Sequence, residues 1–157
     1  MRQINWGVIG PGSIARAFAY SIQGTTNSKL TSVFGRNHQK TDSFASKFHL
    51  NAHHRLSDFI SSKEIDAIYI ATPHSEHFFY ALEAIKNGKH VLCEKPFTMN
   101  AHESMVLLDL ANAKNIFLME AFMYRMHPQT RNILDNLNFL SDAKEKIMIE
   151  ASFGFKA

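Results

Sequence analysis

Short apolar runs alternate along the chain with longer segments in which apolar residues recur at helical spacing. The apolar runs are INWGVIG, KLTSVFG, DAIYIA, KHVLCE and IFLME, with a weaker one near residues 51–54. Helical spacing is found at residues 13–24, 38–48, 56–62, 75–87 and 100–113. Strict alternation of strand and helix is typical of βαβ units. The sequence therefore predicts an α/β fold, a doubly wound parallel sheet with helices on both faces.

A glycine motif, Gly10-x-Gly12-x-x-Ala15, lies directly between the first predicted strand and the first predicted helix. In this context the first glycine permits a tight turn, the second lets a pyrophosphate approach the backbone, and the alanine lets helix and strand pack closely. Ser13 is placed to cap the helix, and a phosphate would meet the helix N-terminus at Ser13 and Ile14. A structural turn without a ligand is the alternative, but the βαβ context favours a Rossmann-type dinucleotide site.

The end of the second predicted strand bears on the choice of cofactor. NAD sites usually carry Asp or Glu there to hold the ribose hydroxyls, but this chain has Arg36 at the tip, Lys40 a turn later and no carboxylate before Asp42. A guanidinium can hold a 2′-phosphate with two hydrogen bonds. NADP(H) is therefore predicted in preference to NAD(H). In the alternative interpretation, Arg36 is a solvated loop residue, or stacks on adenine without discriminating between the nucleotides.

The apolar run HVLC ends abruptly in Glu94, Lys95 and Pro96. Ligands of open parallel sheets bind beyond the carboxyl ends of the strands, so this loop and the loop after DAIYIA should face the nicotinamide end of a cofactor. Lys95 can donate a hydrogen bond to a substrate oxygen. Glu94 would position Lys95 or offset its charge, and Pro96 would stiffen the turn. A surface salt bridge at the end of a strand is the alternative.

Four segments, GVIGPGSIA, IYIATPHSEH, GKHVLCEKPFTMNAHES and FLMEAFMYRMHP, resemble in order and spacing the N-terminal half of the glucose-fructose oxidoreductase, inositol dehydrogenase and MocA (Gfo/Idh/MocA) family. Within that family they are similar to the dimeric dihydrodiol dehydrogenases. The resemblance implies that Lys95 is the catalytic residue, beside the nicotinamide and the substrate hydroxyl. It further implies a cofactor-binding set made up of Thr72, Pro73, His77, Glu94 and Lys95, with Arg125 near the domain junction.

The resemblance also implies a second domain. Family members are much longer than this chain, and their C-terminal domain supplies an open sheet, much of the substrate pocket, a further acid/base His or Tyr and usually the dimer surface. We therefore expect a Rossmann domain at residues 1–122, and a junction helix with the first strand of a truncated α+β domain at residues 123–157. Apolar residues alternate with polar ones in the predicted strand 144–157. With no partner sheet, this strand is expected to self-associate into a homo-oligomer or to be disordered.

Composition limits the other function classes. With 45% hydrophobic and 20% charged residues, the chain should fold rather than remain disordered. Its formal charge of +3 comes from scattered basic residues without a basic stripe, so we expect no nucleic-acid partner. No apolar run is long enough to span a membrane, and no signal region precedes the glycine motif, so no membrane partner is expected. The single cysteine, Cys93, fits a reducing compartment and predicts a cytoplasmic location.

A metal site and a cysteine nucleophile are further chemical alternatives. His74 and His77 supply two ligands, with His53 and His54 nearby in sequence, but spacing fixes no third ligand, so no metal is predicted. His74 stands where many family members have Asn, and it is given no role. Cys93 falls in a predicted buried strand, where a thiol is usually inert.

Two hypotheses about function follow from the sequence. The first is the NADP(H)-binding domain of an oxidoreductase that transfers hydride between nicotinamide and a hydroxyl-bearing carbon of a small-molecule sugar, cyclitol or dihydrodiol. On this hypothesis the chain alone is incomplete for catalysis. The second hypothesis is a non-catalytic nucleotide-binding module or a truncated remnant of such an enzyme.

Overall fold

A parallel sheet lies at the centre of the protein in the computed structural model, which describes residues 2–140 and the side chains of residues 2–136. Its strands are β1 (Ile4–Ile9), β2 (Ser28–Phe34), β3 (Asn51–His53), β4 (Ala67–Ile70), β5 (His90–Cys93) and β6 (Leu118–Glu120). They form one sheet of six strands in the order β3-β2-β1-β4-β5-β6. The chain therefore reverses its direction of winding between β1 and β4, which confirms the predicted Rossmann-type doubly wound sheet.

A helix follows each strand, and the helices between strands form the crossovers that parallel pairing requires. They are α1 (Ser13–Gln23), α2 (His38–Phe48), α3 (Leu56–Ser61), α4 (His77–Lys86), α5 (Ala101–Ala113) and α6 (Pro128–Leu140). Short 3₁₀ turns at His74–Glu76 and Met123–Met126 precede α4 and α6. Two helices begin at an asparagine cap: the Asn37 side chain accepts a hydrogen bond from the backbone of Lys40, and the Asn100 side chain accepts one from Glu103. These caps satisfy backbone donors that the helices cannot satisfy themselves.

Apolar side chains cover both faces of the sheet, because successive strand residues point to opposite sides. Val8 packs with the buried residues of α1 and α2 on one face, and its neighbour Ile9 packs with those of α3, α4 and α5 on the other. In β4, Tyr69 faces the first layer, whereas Ile68 and Ile70 face the second. A sheet covered in this way is accessible to ligands only at the ends of its strands.

The structure divides into two compact units, the first ending at Ala121 and the second beginning at Phe122. The described part of the second unit consists of the 3₁₀ turn Met123–Met126 and α6. The predicted strand at residues 144–157 lies outside the described residues, so the self-association expected from it stays a prediction. Among residues 2–140, no helix is long and apolar enough to cross a lipid bilayer.

The core packs tightly against the backbone at Gly7 on β1. A Cβ atom at this position would lie 2.6 Å from Cζ of Phe59. We expect Gly7→Ala to lower the free energy of unfolding by about 1–3 kcal/mol, because Phe59 must shift within a filled core. Chemical denaturation measures this loss. Gly24→Ala is the matched control, since a Cβ there would meet nothing closer than 3.6 Å; equal stabilities of the two variants would contradict the prediction.

Candidate functional site

The carboxyl ends of β1, β2, β4 and β5 lie at one edge of the sheet, because these strands are parallel. The loops after these four strands carry almost all of the predicted site residues. They bring together the glycine motif, Arg36, the Thr72–His77 segment and the Glu94–Lys95 pair at the point where the winding reverses. Ligands of doubly wound sheets bind at such a point.

The glycine turn after β1 owes its two glycines to different causes. Gly10 has a φ angle of +93°, and a Cβ there would lie 2.8 Å from the carbonyl oxygen of Ala71. Its glycine is therefore required by the fold. Gly12 has an ordinary extended backbone, with φ −91° and ψ −170°, and a Cβ there would have nothing within 4 Å. No packing in the described structure requires glycine at position 12, so the open space at this position is available to a ligand.

The N-terminus of α1 faces that space without a side-chain cap. The N-cap residue is Gly12, and no side chain accepts a hydrogen bond from the first turn. The prediction that Ser13 caps the helix is therefore wrong, because Ser13 is itself the first helical residue. The first backbone N–H groups of a helix have no intrahelical acceptor. With their partial positive charge, those of Ser13 and Ile14 can bind an anion.

A cleft of about 320 Å³ extends from the glycine turn between the loops after β2 and β4. We call it the switch-point cleft; its walls include Gly12, Arg36, Lys40, Thr72 and Glu76. The hydroxyl oxygen of Thr72 is buried and has no hydrogen-bond partner among the described residues. A buried polar atom without a partner costs free energy unless a ligand or solvent satisfies it. The cleft therefore offers a polar atom, two cationic side chains and a helix N-terminus to one ligand.

The guanidinium of Arg36 is paired in this cleft with a carboxylate that the sequence analysis did not consider. Nη2 of Arg36 lies 2.5 Å from Oε1 of Glu76, at the end of the 3₁₀ turn after β4. No carboxylate follows Arg36 in the sequence before Asp42, so a local pattern does not indicate this partner. Because β1 lies between β2 and β4, the loops after β2 and β4 flank the same cleft, and Glu76 reaches Arg36 from the loop after β4. The available signal in the sequence was Glu76 itself, an acidic residue within the segment Thr72–His77 that follows β4.

The carboxylate of Glu94 is held by a tyrosine rather than by the ammonium of Lys95. The Tyr69 hydroxyl donates to Oε1 of Glu94 over 2.5 Å, and the backbone N–H of Lys95 donates to Oε2 over 3.2 Å. Burial, together with this hydrogen bond to Glu94, raises the pKa of Tyr69, so the tyrosine remains a donor. Lys95 is exposed, and its ammonium takes part in none of the ion pairs of the described chain. Its side chain is therefore available to an incoming group.

The rest of this loop is anchored to the neighbouring strand. The backbone N–H of Phe97 donates to Oε1 of Glu120 over 2.8 Å, at the end of β6, and the Lys95–Pro96 peptide bond is cis. Burial raises the pKa of the Cys93 thiol, with the charges of Glu94 and Glu120 adding to the effect. The thiol therefore stays protonated, as expected for an inert cysteine rather than a nucleophile.

His77 bridges the two loops that flank the cleft. It is fully buried, with Nε2 lying 3.0 Å from the carbonyl oxygen of Thr72 and Nδ1 lying 2.9 Å from that of Pro96. The ring thus contacts the backbone on both sides, and the structure places it behind the loops rather than in the open space. Pro73 is exposed at the cleft wall. His77 therefore fixes the backbone of both loops, and its predicted place in the cofactor-binding set stays a prediction.

Arg125 lies in the 3₁₀ turn Met123–Met126 of the second unit, and its predicted role at a domain junction stays a prediction. Tyr69 and Glu120 are site residues that the sequence analysis missed. A tyrosine in an otherwise aliphatic buried strand was the signal for Tyr69, since its hydroxyl needs a partner. Within residues 2–140, no three His, Cys, Asp or Glu side chains are grouped so that they could hold a metal ion.

The chain is similar to one family of nucleotide-dependent enzymes over most of its length. Residues 4–122 match the GFO_IDH_MocA family model, an oxidoreductase family with an NAD-binding Rossmann fold. The chain is 34% identical over 138 residues to scyllo-inositol 2-dehydrogenase (NADP(+)) IolU of Bacillus subtilis (strain 168). This match covers 86% of this chain and 42% of IolU. Identity to trans-1,2-dihydrobenzene-1,2-diol dehydrogenase of Xenopus tropicalis is 32% over 154 residues, 95% of this chain and 46% of that protein.

A solved structure supports the same assignment. KijD10, a 3-ketoreductase from Actinomadura kijaniata in complex with NADP, superposes with a TM-score of 0.81 at 29% identity, over 88% of this chain and 44% of KijD10. The chain therefore spans less than half the length of these proteins. Together the matches confirm the family resemblance and the NAD(P)-binding fold predicted from the sequence.

The contrast between the two glycines of the turn leads to a prediction. We expect Gly12→Ala to leave the unfolding free energy unchanged or slightly raised, and to weaken nucleotide binding by about tenfold or more, because its methyl group fills the space for the pyrophosphate. Gly10→Ala should instead lower the unfolding free energy by about 1–3 kcal/mol through backbone strain. Denaturation and calorimetric titration of both variants measure these effects. A Gly12→Ala protein that binds normally would show that no phosphate approaches this backbone.

The bridging position of His77 leads to a second prediction. The substitution His77→Leu keeps the volume but removes the ring nitrogens that contact the carbonyl oxygens of Thr72 and Pro96. A neutral imidazole donates to one of these oxygens at a time, and its loss should lower the unfolding free energy by about 1–3 kcal/mol. His74→Leu is the matched control, because His74 is exposed one turn away. Thermal and chemical denaturation compare the two variants. If they are equally stable, the contacts of the His77 ring with these carbonyl oxygens contribute nothing to the stability of the fold.

Proposed function

The chain belongs to the Gfo/Idh/MocA oxidoreductase family as its NAD(P)-binding Rossmann domain, and on this basis we propose that it binds NADP(H) in preference to NAD(H). We further propose that it serves hydride transfer between nicotinamide and a hydroxyl-bearing carbon of a sugar, cyclitol or dihydrodiol. IolU and the dihydrodiol dehydrogenase of Xenopus tropicalis are named for substrates of this kind. The chain spans 42% and 46% of these proteins, so the proposal assigns the reaction to a protein of their full length and only the cofactor site to this chain.

The uncapped N-terminus of α1 above the empty position of Gly12 is the observation that carries the proposal. The backbone N–H groups of Ser13 and Ile14 would donate to the pyrophosphate, and Gly10 and Gly12 would let it lie against the turn. The unpartnered hydroxyl of Thr72 would gain its missing hydrogen bond in the same cleft. The residues present therefore fit a dinucleotide.

The preference for NADP(H) rests on the cationic wall of the switch-point cleft. Arg36 lies at the end of β2, where a ribose-binding carboxylate would stand in many NAD sites. Lys40 follows on the first turn of α2 and lines the same cleft. Two cations at this place favour a 2′-phosphate over a hydroxyl. The relatives IolU, named for NADP(+), and KijD10, solved with NADP, are consistent with this choice.

Lys95 is proposed as the catalytic residue. A bound nicotinamide supplies the hydride acceptor or donor. Oxidation of an alcohol also removes a proton from its oxygen, and an unpaired lysine side chain at the carboxyl end of β5 can hydrogen-bond that oxygen and exchange the proton. Glu94, fixed by Tyr69, holds the backbone of Lys95 in place. In oxidation the neutral amine of Lys95 would accept the proton of the alcohol, and in reduction the ammonium would donate it to the developing alkoxide. Glu94 is not paired with this ammonium, so its charge is available to the alkoxide.

The other predicted residues have supporting roles in this proposal. Pro73 would contact the cofactor directly, whereas His77 would position the loops on either side of it. Arg125 would lie near the junction with a substrate domain. The free, buried Cys93 is compatible with a reducing compartment, and we propose that the protein is cytoplasmic.

Calorimetric titration with NADPH and NADH tests the proposal. We expect NADPH to bind about tenfold more tightly than NADH, since Arg36 and Lys40 would contact only the 2′-phosphate. Arg36→Ala should remove most of that difference. Arg55→Ala is the matched control, because Arg55 is exposed at the start of α3 and is not part of the cleft wall. Lys95→Ala should retain NADPH binding within a few fold.

The outcomes separate the hypotheses. A preference for NADPH that Arg36→Ala removes and Arg55→Ala keeps would support the cofactor assignment. Tighter binding of NADH would overturn it. Turnover of polyols by a longer protein, lost with Lys95→Ala, would support the oxidoreductase. Binding without turnover in that longer protein would favour the non-catalytic nucleotide-binding module instead.

A further inference from the structure

A carboxylate and a guanidinium face each other across the switch-point cleft. We propose that Glu76 sets the nucleotide selectivity of this cleft by competing with the 2′-phosphate of NADP(H) for the guanidinium of Arg36. This inference rests on the proposed function of the same site and adds a determinant that opposes the preference for NADP(H). An acidic residue at the end of β2 usually favours NAD(H) by binding the ribose hydroxyl. The inference assigns this effect to Glu76, which lies on the loop after β4.

Glu76 is the better-fixed member of the pair. It ends the 3₁₀ turn His74–Glu76, where its backbone N–H donates to the carbonyl oxygen of Pro73 over 3.0 Å. Its side chain is 21% exposed, whereas that of Arg36 is 72% exposed. A long, exposed side chain adjusts to a shorter, enclosed one more easily than the reverse. The carboxylate therefore decides where the guanidinium lies, and it draws Arg36 across the cleft.

Both charges act on the inner wall of the cleft. Tyr80, from α4, lines this wall. Burial raises the pKa of Tyr80 first, the charge of Glu76 raises it further, and the charge of Arg36 opposes the rise. Glu76 lines the same cleft and its side chain is 21% exposed, so the carboxylate borders the space where the ribose of a dinucleotide would lie.

The two nucleotides would meet this pair differently. A 2′-phosphate carries close to two negative charges, so it would compete with the carboxylate for Arg36 and would be repelled by it. A ribose 2′-hydroxyl can instead donate a hydrogen bond to the carboxylate while the ion pair stays intact. Glu76 would therefore weaken NADPH binding and support NADH binding. Removing its charge while keeping its shape should shift the selectivity towards NADPH.

Calorimetric titration of wild type, Glu76→Gln, Arg36→Ala and the double variant with NADPH and NADH tests this inference. We expect Glu76→Gln to tighten NADPH binding about fivefold and to leave NADH binding unchanged or up to about threefold weaker, as for other partly exposed ion pairs. In the Arg36→Ala background the gain for NADPH should be clearly smaller, because no guanidinium is left to compete for. Adenosine 2′,5′-bisphosphate and adenosine 5′-monophosphate, used as probes, confine the comparison to the adenosine end.

Glu83→Gln is the matched control for the charge change. Glu83 lies on α4 and pairs with Lys86 outside the cleft wall, so this variant should bind both nucleotides like the wild type. An unchanged ratio of NADPH to NADH affinity in Glu76→Gln, or an equal gain for NADPH with and without Arg36, would overturn the inference while leaving the proposed function intact. If neither wild type nor Glu76→Gln binds either nucleotide, the proposed function and the inference both fail.

Discussion

The close contact between the glycine turn and the chain after β4 fixes the geometry of the whole site. Backbone lies directly on backbone here, because only glycine at position 10 keeps Ala71 at its observed distance. The backbone N–H of Gly10 donates to Phe34, and that of Ala71 donates to Ile9, so the same turn is tied to β2 and β4. The direction of α1, the width of the switch-point cleft and the meeting of Arg36 with Glu76 all depend on this arrangement.

Polar contacts also fix the backbone of the loop after β5, which carries Lys95. Tyr69 fixes Glu94 from β4, Glu120 fixes Phe97 from β6, and His77 contacts the loop from α4. Three neighbouring elements thus determine the backbone on both sides of Lys95, while its side chain is left unpaired. An exposed lysine on a fixed backbone can hold a constant position relative to a bound ligand without being neutralised beforehand, as pre-organised electrostatic stabilisation requires.

Local patterns in the sequence were sufficient for the fold and for the residues of the glycine motif. The alternation of apolar runs and helical spacing predicted the strands and helices, since these patterns depend on neighbours along the chain. Contacts across the sheet were not predictable in this way. Arg36 and Glu76 are 40 residues apart, and their meeting depends on the placement of β1 next to both β2 and β4. The cap at Ser13 failed for a local reason, because Gly12 occupies the N-cap position and the helix begins at Ser13, one residue earlier than a serine cap requires.

The open space around the Gly12 backbone also indicates which property has been under selection at this position. Neither its dihedral angles nor its surroundings demand glycine, and most side chains at this position would reduce the entropy of the unfolded chain at no cost to packing. A truncated remnant that no longer bound a nucleotide could therefore accept a larger residue here through neutral mutation, without losing its ability to fold. A glycine at a position where folding does not require one is the mark that selection for ligand binding would leave on the sequence.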